Sequence, residues 1–585
     1  MHPTVTHNVF VNQDRKSKRK LSMRKEWWSG EHEGYWKDAV IRMAYLTGEK
    51  EYIRLAEKWM DELMDAAGKH GYIGIYRSGD RTGSRFNHTR GNGELWVTSR
   101  ILMAMLAYYE YTGKRKVLQA AEKAAQLIME NYGDENYFSV KSRGGGVSHG
   151  IGFFENLEWL FRITGKQEYL DFAEKLYDDF NSAYVRDDDL QTDKLLNEDA
   201  LFEKHGAHIA EGFLVPEFIA AIKDAAEYDE AADNALAKLT KHTTPSGAMR
   251  CDEWIKGREG DADERYEYCG IAEMVSPLNK MIALSGDLSL ADRIENMTFN
   301  AGQGSRFPVL SALSYLTKDN RKKINHREIA RRESYDAAHF AAACCVLNGG
   351  RLMPYFVEGM WMRDLENDGL AAVLYGPNKL ATKVRGTTVK IREETGYPFT
   401  DTIIFHIDPE ASVDFPLVLR KPHGCEDVDL EVPDGAKVKE NEESFMIEHN
   451  WRKEDQVKMT LNFKVLKIDQ PASKSVDDMG MYVRRGALVY ALPFKHNIVP
   501  VKEHYNSGFY RYRITPENTE AWDYLLDLHG PFKYKHTGKE LDSPWDEPVV
   551  KIRVLLIDKQ GVKEPFELVP MGNTIFRRVT FGIKL

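Results

Sequence analysis

Glu267-Tyr268-Cys269 and, from position 269 to position 344, the adjacent pair Cys344-Cys345 supply three thiols and one carboxylate. Three thiolates and a carboxylate are enough to complete a tetrahedral zinc site. Glu267 and Cys269 can present both donors if they flank a bend or a helix start. Adjacent cysteines reach one ion only where the backbone turns sharply. The same residues also suit a helical core of small apolar side chains, with Ala341-Ala342-Ala343 just before the pair. Spacing alone leaves both readings open. Cys251 and Cys425 carry no chemical argument of their own, and buried free thiols account for them. Five cysteines at wide spacing do not make a disulfide scaffold.

These residues fall in a region that reads as helix after helix, up to about residue 360. A loose repeat recurs: an aromatic-rich apolar segment, then Thr-Gly, then a second amphipathic segment. It appears at Tyr45-Leu46-Thr47-Gly48, at Tyr111-Thr112-Gly113 and at Ile163-Thr164-Gly165, with a weaker form at Leu284-Ser285-Gly286. Thr-Gly can end a helix, the glycine taking the positive-φ cap. The segment after it, as in Tyr169, Leu170, Phe172, Ala173 and Leu176, has apolar groups at helical spacing. Helix pairs of this kind need neighbours to cover their apolar faces, and about six pairs fit before residue 360. Closed on themselves they form an (α/α)6 toroid with a cleft at one end. An open solenoid satisfies the same periodicity.

After residue 360 the apolar period changes to two. Val389 and Ile391, then Val413 to Leu419, then Val457 to Val465 alternate as half-buried strands do. Later strands include Tyr482 to Ala491 and Ile552 to Ile557. Asp408-Pro409 and Pro433-Asp434-Gly435 mark turns, and Asp469 to Ser475, with Pro471, marks a boundary. The expected organisation is multidomain α + β. An N-terminal arm (1–25) precedes an (α/α)6 domain (26–360), which would be the catalytic one if the chain is an enzyme. A β-sandwich domain (361–470) and a C-terminal β-sandwich domain (471–585) follow.

A chain of 585 residues is too long for one core. Its net charge of −10 argues against a nucleic-acid partner, which selects for a basic face. The basic run from Lys16 to Arg24 reads as a solvated arm. No apolar run approaches the roughly 20 residues that cross a bilayer, so no membrane partner is expected. The N-terminus lacks a secretory pattern, which favours a cytoplasmic location. Aromatic residues are abundant, which suits large cores and sugar-binding clefts equally.

Motif by motif, the chain resembles glycoside hydrolase family 127, the bacterial β-L-arabinofuranosidases, and its wider relatives. That family has Glu-Thr-Cys and, later, Cys-Cys-Pro-Pro-Asn with a trailing Arg, in the same helical-then-β order. The matching stretches are Glu267-Tyr268-Cys269 and Cys344-Cys345-Val346-Leu347-Asn348, with Arg351 behind. Further similarity lies at His208-Ile209-Ala210, Ala291 to Asn296, and Arg484 to Tyr490. The resemblance implies Zn(2+) held by Glu267, Cys269, Cys344 and Cys345, with Cys344 also the nucleophile. It implies an acid/base glutamate in the place of Asp252-Glu253-Trp254, hence Glu253, with Asp252 one residue away. His149, His208 and Glu295 would contact the substrate. As residues alone, His208 also suits a packing or capping role, His149 a loop-to-helix junction, and Glu295 an ion pair. The family's Thr is Tyr268 here and its Pro-Pro is Val346-Leu347, departures that bear on the sugar more than on the fold.

The chemistry so implied is retaining hydrolysis of a glycoside or oligosaccharide, with exo action on a terminal sugar. A nucleophile attacks one face of the anomeric carbon while an acid protonates the leaving oxygen. Two other classes fit a helical toroid: a polysaccharide lyase or sugar epimerase, and a non-catalytic carbohydrate-binding protein with structural zinc. Metal content, product chemistry and turnover separate the three. Homo-oligomerisation is compatible with the sequence and not specified by it.

Overall fold

The computed structural model describes residues 8–13, 28–79, 84–86, 93–139, 145–308, 313–325, 333, 335, 344–470, 480–504, 506, 508–539 and 543–584. The basic run 16–24, residues 341–343 and most of the boundary at 469–475 lie outside them.

The Thr-Gly repeats do end helices. The amides of Gly48, Gly113, Gly165 and Gly286 bond the carbonyls of Ala44, Tyr109, Phe161 and Ile282 at 2.7–3.0 Å. Each glycine has positive φ, where a Cβ is disfavoured. The hydroxyls of Thr47, Thr112, Thr164 and Ser285 donate to carbonyls one turn back. Three of the helices before these caps are enclosed nearly all round. Glu94–Thr112 is buried continuously from Glu94 to Tyr108, Phe154–Thr164 from Phe154 to Leu160, and Tyr268–Ser285 from Tyr268 to Leu278. Helices after the caps bury one stripe: Lys50–Ala67 buries Ala56, Trp59, Met60, Leu63 and Ala67. An apolar stripe of that width covers one neighbouring face and leaves the other side wet. The repeat therefore alternates enclosed and surface helices around one core.

Helix Trp28–Thr47 crosses Glu94–Thr112 at close range. A Cβ on Gly30 would meet Val97 Cβ at 2.7 Å, and one on Gly34 would meet Arg100 Cβ at 2.6 Å. The crossing brings the first described long helix beneath the later motifs.

Beyond residue 360 the chain is β-rich. Strands Lys437–Glu440, Ser444–Trp451, Val413–Arg420, Gly369–Ala372 and Trp361–Asp364 form one five-stranded sheet, in that order. Asn378–Val384, Thr387–Thr395, Thr402–Pro409, Asp455–Phe463 and Cys425–Glu431 form another. Alternation works as expected: Phe415, Leu417 and Leu419 of the first sheet share a core with Val457, Met459 and Leu461 of the second. A third, ten-stranded sheet has its own core.

Two sequence expectations need correction here. The single strand from Tyr482 to Ala491 is a hairpin, Gly480–Arg485 with Leu488–Phe494, in which Arg485 faces Leu488. Gly486, at φ 54°, makes the two-residue turn that the run of apolar residues conceals. The third sheet also begins before residue 471, since Leu466–Gln470 pairs with Gly480–Arg485. Its last strands reach back to the helical region. Arg577 is fully buried and donates to the carbonyls of Gly304, Lys318 and Asp319, and to Thr317 Oγ1. No helix among the described residues is long and apolar enough to cross a membrane.

Candidate active site

Local structure explains how the four sulfur and oxygen donors converge. Tyr266–Glu267 is a short strand paired with Leu316–Thr317, and Glu267 is the extended residue before helix Tyr268–Ser285. Cys269 lies in the first turn of that helix. Cys344 and Cys345 are the first described residues of helix Cys344–Asn348 and both are buried. Donor atoms of Glu267, Cys269, Cys344 and Cys345 all lie within 4.8 Å of one another, and all four residues are buried. Cys269 Sγ is 3.2 Å from Cys345 Sγ, which is 3.5 Å from Glu267 Oε1.

The two donor-bearing helices are clamped together one turn further along. Glu273 Oε1 accepts hydrogen bonds from Asn348 Nδ2 at 2.8 Å and Arg351 Nη1 at 2.6 Å. Its other oxygen accepts from Arg100 Nη1 at 3.1 Å. Arg351 is tied in turn to Asp38 Oδ2 at 3.0 Å. Buried charge-assisted bonds of this kind contribute about 1.5–3 kcal/mol each. The trailing arginine of the motif thus fixes the site from behind.

Electrostatics separate the donors. Hydrogen bonds from Cys269, Cys345 and His32 hold the Cys344 thiol well below its usual range, against the effect of burial. Burial pushes Cys269 and Cys345 up. Burial and the neighbouring charges of Cys344 and Glu253 push the Glu267 carboxyl up. Among the described residues Glu267 Oε2 accepts no hydrogen bond, and His205 Nε2 lies 3.8 Å from it. Burial holds His205 neutral. Four acidic groups crowded in apolar surroundings need a cation to be ionised together. A three-sulfur, one-carboxylate donor set fits zinc by type and number.

Glu253 reaches the same centre by a different route. Segment 251–257 lies beside 202–206, with Trp254 bridged to His205 and Gly206 N bonded to Glu253 O at 2.9 Å. Glu253 has φ 74°, a region that costs a non-glycine residue about 1–2 kcal/mol. Tyr315 Oη donates to Glu253 Oε1 at 2.8 Å, and Tyr315 also lies against Glu267. Asp252 instead pairs with Lys256 at 3.5 Å.

Histidines form the adjoining wall. His149 Nδ1 is 2.5 Å from Glu211 Oε2 and stacks on Trp96, with ring centres 3.8 Å apart. Glu211 is fixed by Tyr35 Oη at 2.7 Å and Trp96 Nε1 at 3.0 Å. His208 Nδ1 is 3.0 Å from Asp187 Oδ2 and its ring meets that of His149 edge-on. Burial, followed by the charge of His208, pushes His149 well below its usual pKa.

Glu295 is not brought to this group. It is buried where the helical region meets the first β-sheets. There it pairs with Arg420 Nη2 at 2.5 Å and accepts from Tyr375 N at 3.2 Å and Tyr397 Oη at 2.6 Å. A carboxylate with an arginine and two further donors has its oxygens occupied, so the sugar contact expected from the motif gives way to a domain junction. Five residues in the site carry no motif in the sequence: Tyr315, His205, His32, and the carboxylates Glu211 and Asp187 on the two histidines. His205 was visible as the i−3 neighbour of His208. His32 comes from helix Trp28–Thr47, and with Glu31 and Cys344 it forms a second set of donor atoms within 4.8 Å.

Residues 1–358 match the family model described as β-L-arabinofuranosidase, GH127 catalytic domain, and residues 369–463 match the GH127 middle domain. A GH127 β-L-arabinofuranosidase from Geobacillus stearothermophilus is similar in structure, with TM-score 0.73 and 19% identity over 99% of this chain and 94% of that one. A second GH127 β-arabinofuranosidase is similar with TM-score 0.69 and 19% identity, over 99% and 91% of the two chains. No curated protein matches by sequence. With more than half its length under the catalytic-domain model, the chain belongs to glycoside hydrolase family 127 and is a glycosidase.

Proposed function

We propose that this chain is a retaining exo-glycosidase acting on β-L-arabinofuranosides, with Cys344 as nucleophile and Glu253 as acid/base. The observation that carries the reading is the bridge by Tyr315, which lies against Glu267 and donates to Glu253. Proton donor and sulfur cluster thereby share one buried positioning residue. The helix pairs are read as closing into an (α/α)6 toroid with the cluster in its cleft, and the two five-stranded sheets as a β-sandwich.

Glu267, Cys269, Cys344 and Cys345 would hold zinc, which when bound supplies positive charge that keeps a thiol as thiolate at neutral pH. In the first step Cys344 Sγ bonds to the anomeric carbon as the glycosidic C–O bond breaks. Glu253 gives its proton to the departing oxygen. In the second step Glu253 takes a proton from water, the water oxygen bonds to the anomeric carbon, and the C–S bond breaks. Two displacements on one centre return the original configuration. His149 and His208, oriented by Glu211 and Asp187, supply polar contacts for sugar hydroxyls. The test is hydrolysis of a panel of aryl glycosides that includes β-L-arabinofuranoside, with metal content measured on the same protein. Hydrolysis with stoichiometric zinc is expected. Zinc without turnover of any member, or an unsaturated product, overturns the reading.

A further inference from the structure

The surface beyond Glu253 carries a feature that the hydrolytic scheme leaves unused. Trp254, half-buried, follows Glu253 in the chain, and its indole meets the His205 ring edge-on at 5.7 Å. Arg186 lies exposed in the loop after helix Glu168–Ser182, its guanidinium carbon 4.6 Å from the centre of the Trp254 ring. Among the described residues Arg186 has no carboxylate within ion-pair distance, although the neighbouring Asp187 and Asp188 are both paired elsewhere. Its charge is nevertheless felt by His149 in the site wall.

Tyr315 links the sulfur cluster to Glu253, Trp254 is the next residue in the chain and Arg186 lies over its ring, and burial falls from Glu267 and Tyr315 through half-buried Glu253 and Trp254 to exposed Arg186. A general acid stands beside the oxygen it protonates, so the leaving group extends from Glu253 toward solvent. The groups next to Glu253 on the exposed side are an indole and a guanidinium lying over its ring. Arg186 is exposed and makes no described ion pair, and its planar fork of donors matches a carboxylate with two parallel bonds.

We propose that Trp254 and Arg186 form the subsite for the leaving group, and that this subsite selects a leaving group bearing a carboxylate, such as a uronic acid residue. The assignment rests on the glycosidase reading above and adds to it the class of aglycone. A neutral aglycone gains no bidentate contact there.

Two measurements test it. The first compares kcat/KM for a carboxyphenyl glycoside with that for its uncharged carboxamide, on the glycone the protein hydrolyses. The natural chain is set against Arg186→Gln and Arg186→Lys. The charged aglycone should be preferred about five- to tenfold. The preference should disappear in Arg186→Gln and shrink in Arg186→Lys, which keeps the charge but loses the fork. The second uses saturation-transfer NMR on the Cys344→Ala protein, where no turnover intervenes, with galacturonate, galactose and inorganic phosphate as probes. Galacturonate contact that depends on Arg186, without hydrolysis of any glycoside by the natural chain, would sustain the subsite and sink the reaction. Hydrolysis with no charge preference, or a preference unchanged in Arg186→Gln, overturns the subsite. Phosphate competing as well as galacturonate would make it a general oxyanion site and overturn the carboxylate assignment.

Discussion

Glu267 and Glu295 are both glutamates in or beside a family motif, and both are buried, at 2% and 1% exposure. Burial raises the pKa of each, but their surroundings resolve that cost in opposite ways. Glu295 has Arg420, Tyr397 and a backbone amide. Glu267 faces thiols, another carboxylate, the Tyr315 phenol and a neutral imidazole, with no cationic side chain among the described residues beside it. A buried carboxylate with its own arginine belongs to the scaffold. One that shares its space with other acids can be ionised with them only beside a cation, and such crowding is found preferentially at functional sites.

The strongest way to break this contrast is to remove the proposed nucleophile. Cys344→Ala should lower turnover by at least about 10⁴-fold with the far-ultraviolet dichroism unchanged. Activity within tenfold of the natural chain would place the chemistry elsewhere. Glu295→Gln should act on the fold instead, costing about 3 kcal/mol in urea unfolding because Arg420 loses a buried partner. Zinc affinity should stay within about twofold, since ligand effects are confined to residues that orient the donors. A large loss of zinc with unchanged stability would invert the two roles. Glu273→Gln sharpens the comparison from the other side. It loosens the clamp on both donor helices, so chelator competition should show zinc held about 10- to 100-fold more weakly.

The smallest expected effect concerns a third buried group with a closed partner set. His242 accepts from Phe202 N at 2.9 Å, and its other ring nitrogen is 2.7 Å from Arg258 O, an arrangement that fits only the neutral ring. Burial pushes its pKa down from 6.5 to about 4. The unfolded chain therefore binds the extra proton between those values, and stability falls as pH drops through that window. Between pH 7 and pH 5.5 the contribution is about 1 kcal/mol. The difference in this pH slope between the natural chain and His242→Gln measures it, and identical slopes would remove the assignment.

Much of the site was legible because its residues sit in compact motifs. Thr-Gly caps mark the helix ends, and the two cysteine motifs, together with the family likeness, mark the donor set. The missing parts are contacts made over long sequence distances. Tyr315 lies in a short stretch with no periodicity to mark it. Nothing in residues 28–47 says that this helix passes under Cys344. Glu295 was misplaced for the same reason, since its partner Arg420 is 125 residues away. Local pattern fixes what a helix or strand does, whereas counter-ions are chosen by packing.

The buried Arg577 has a consequence for how such a protein can be divided or shortened. It fastens the last strands to Thr317 and Lys318, two and three residues from Tyr315. A chain stripped of its final dozen residues would retain every sulfur and every histidine, yet lose the brace behind the phenol that holds Glu253. The strand that carries Arg577 is thus part of the support of the candidate site, although it is 262 residues beyond Tyr315 in the chain.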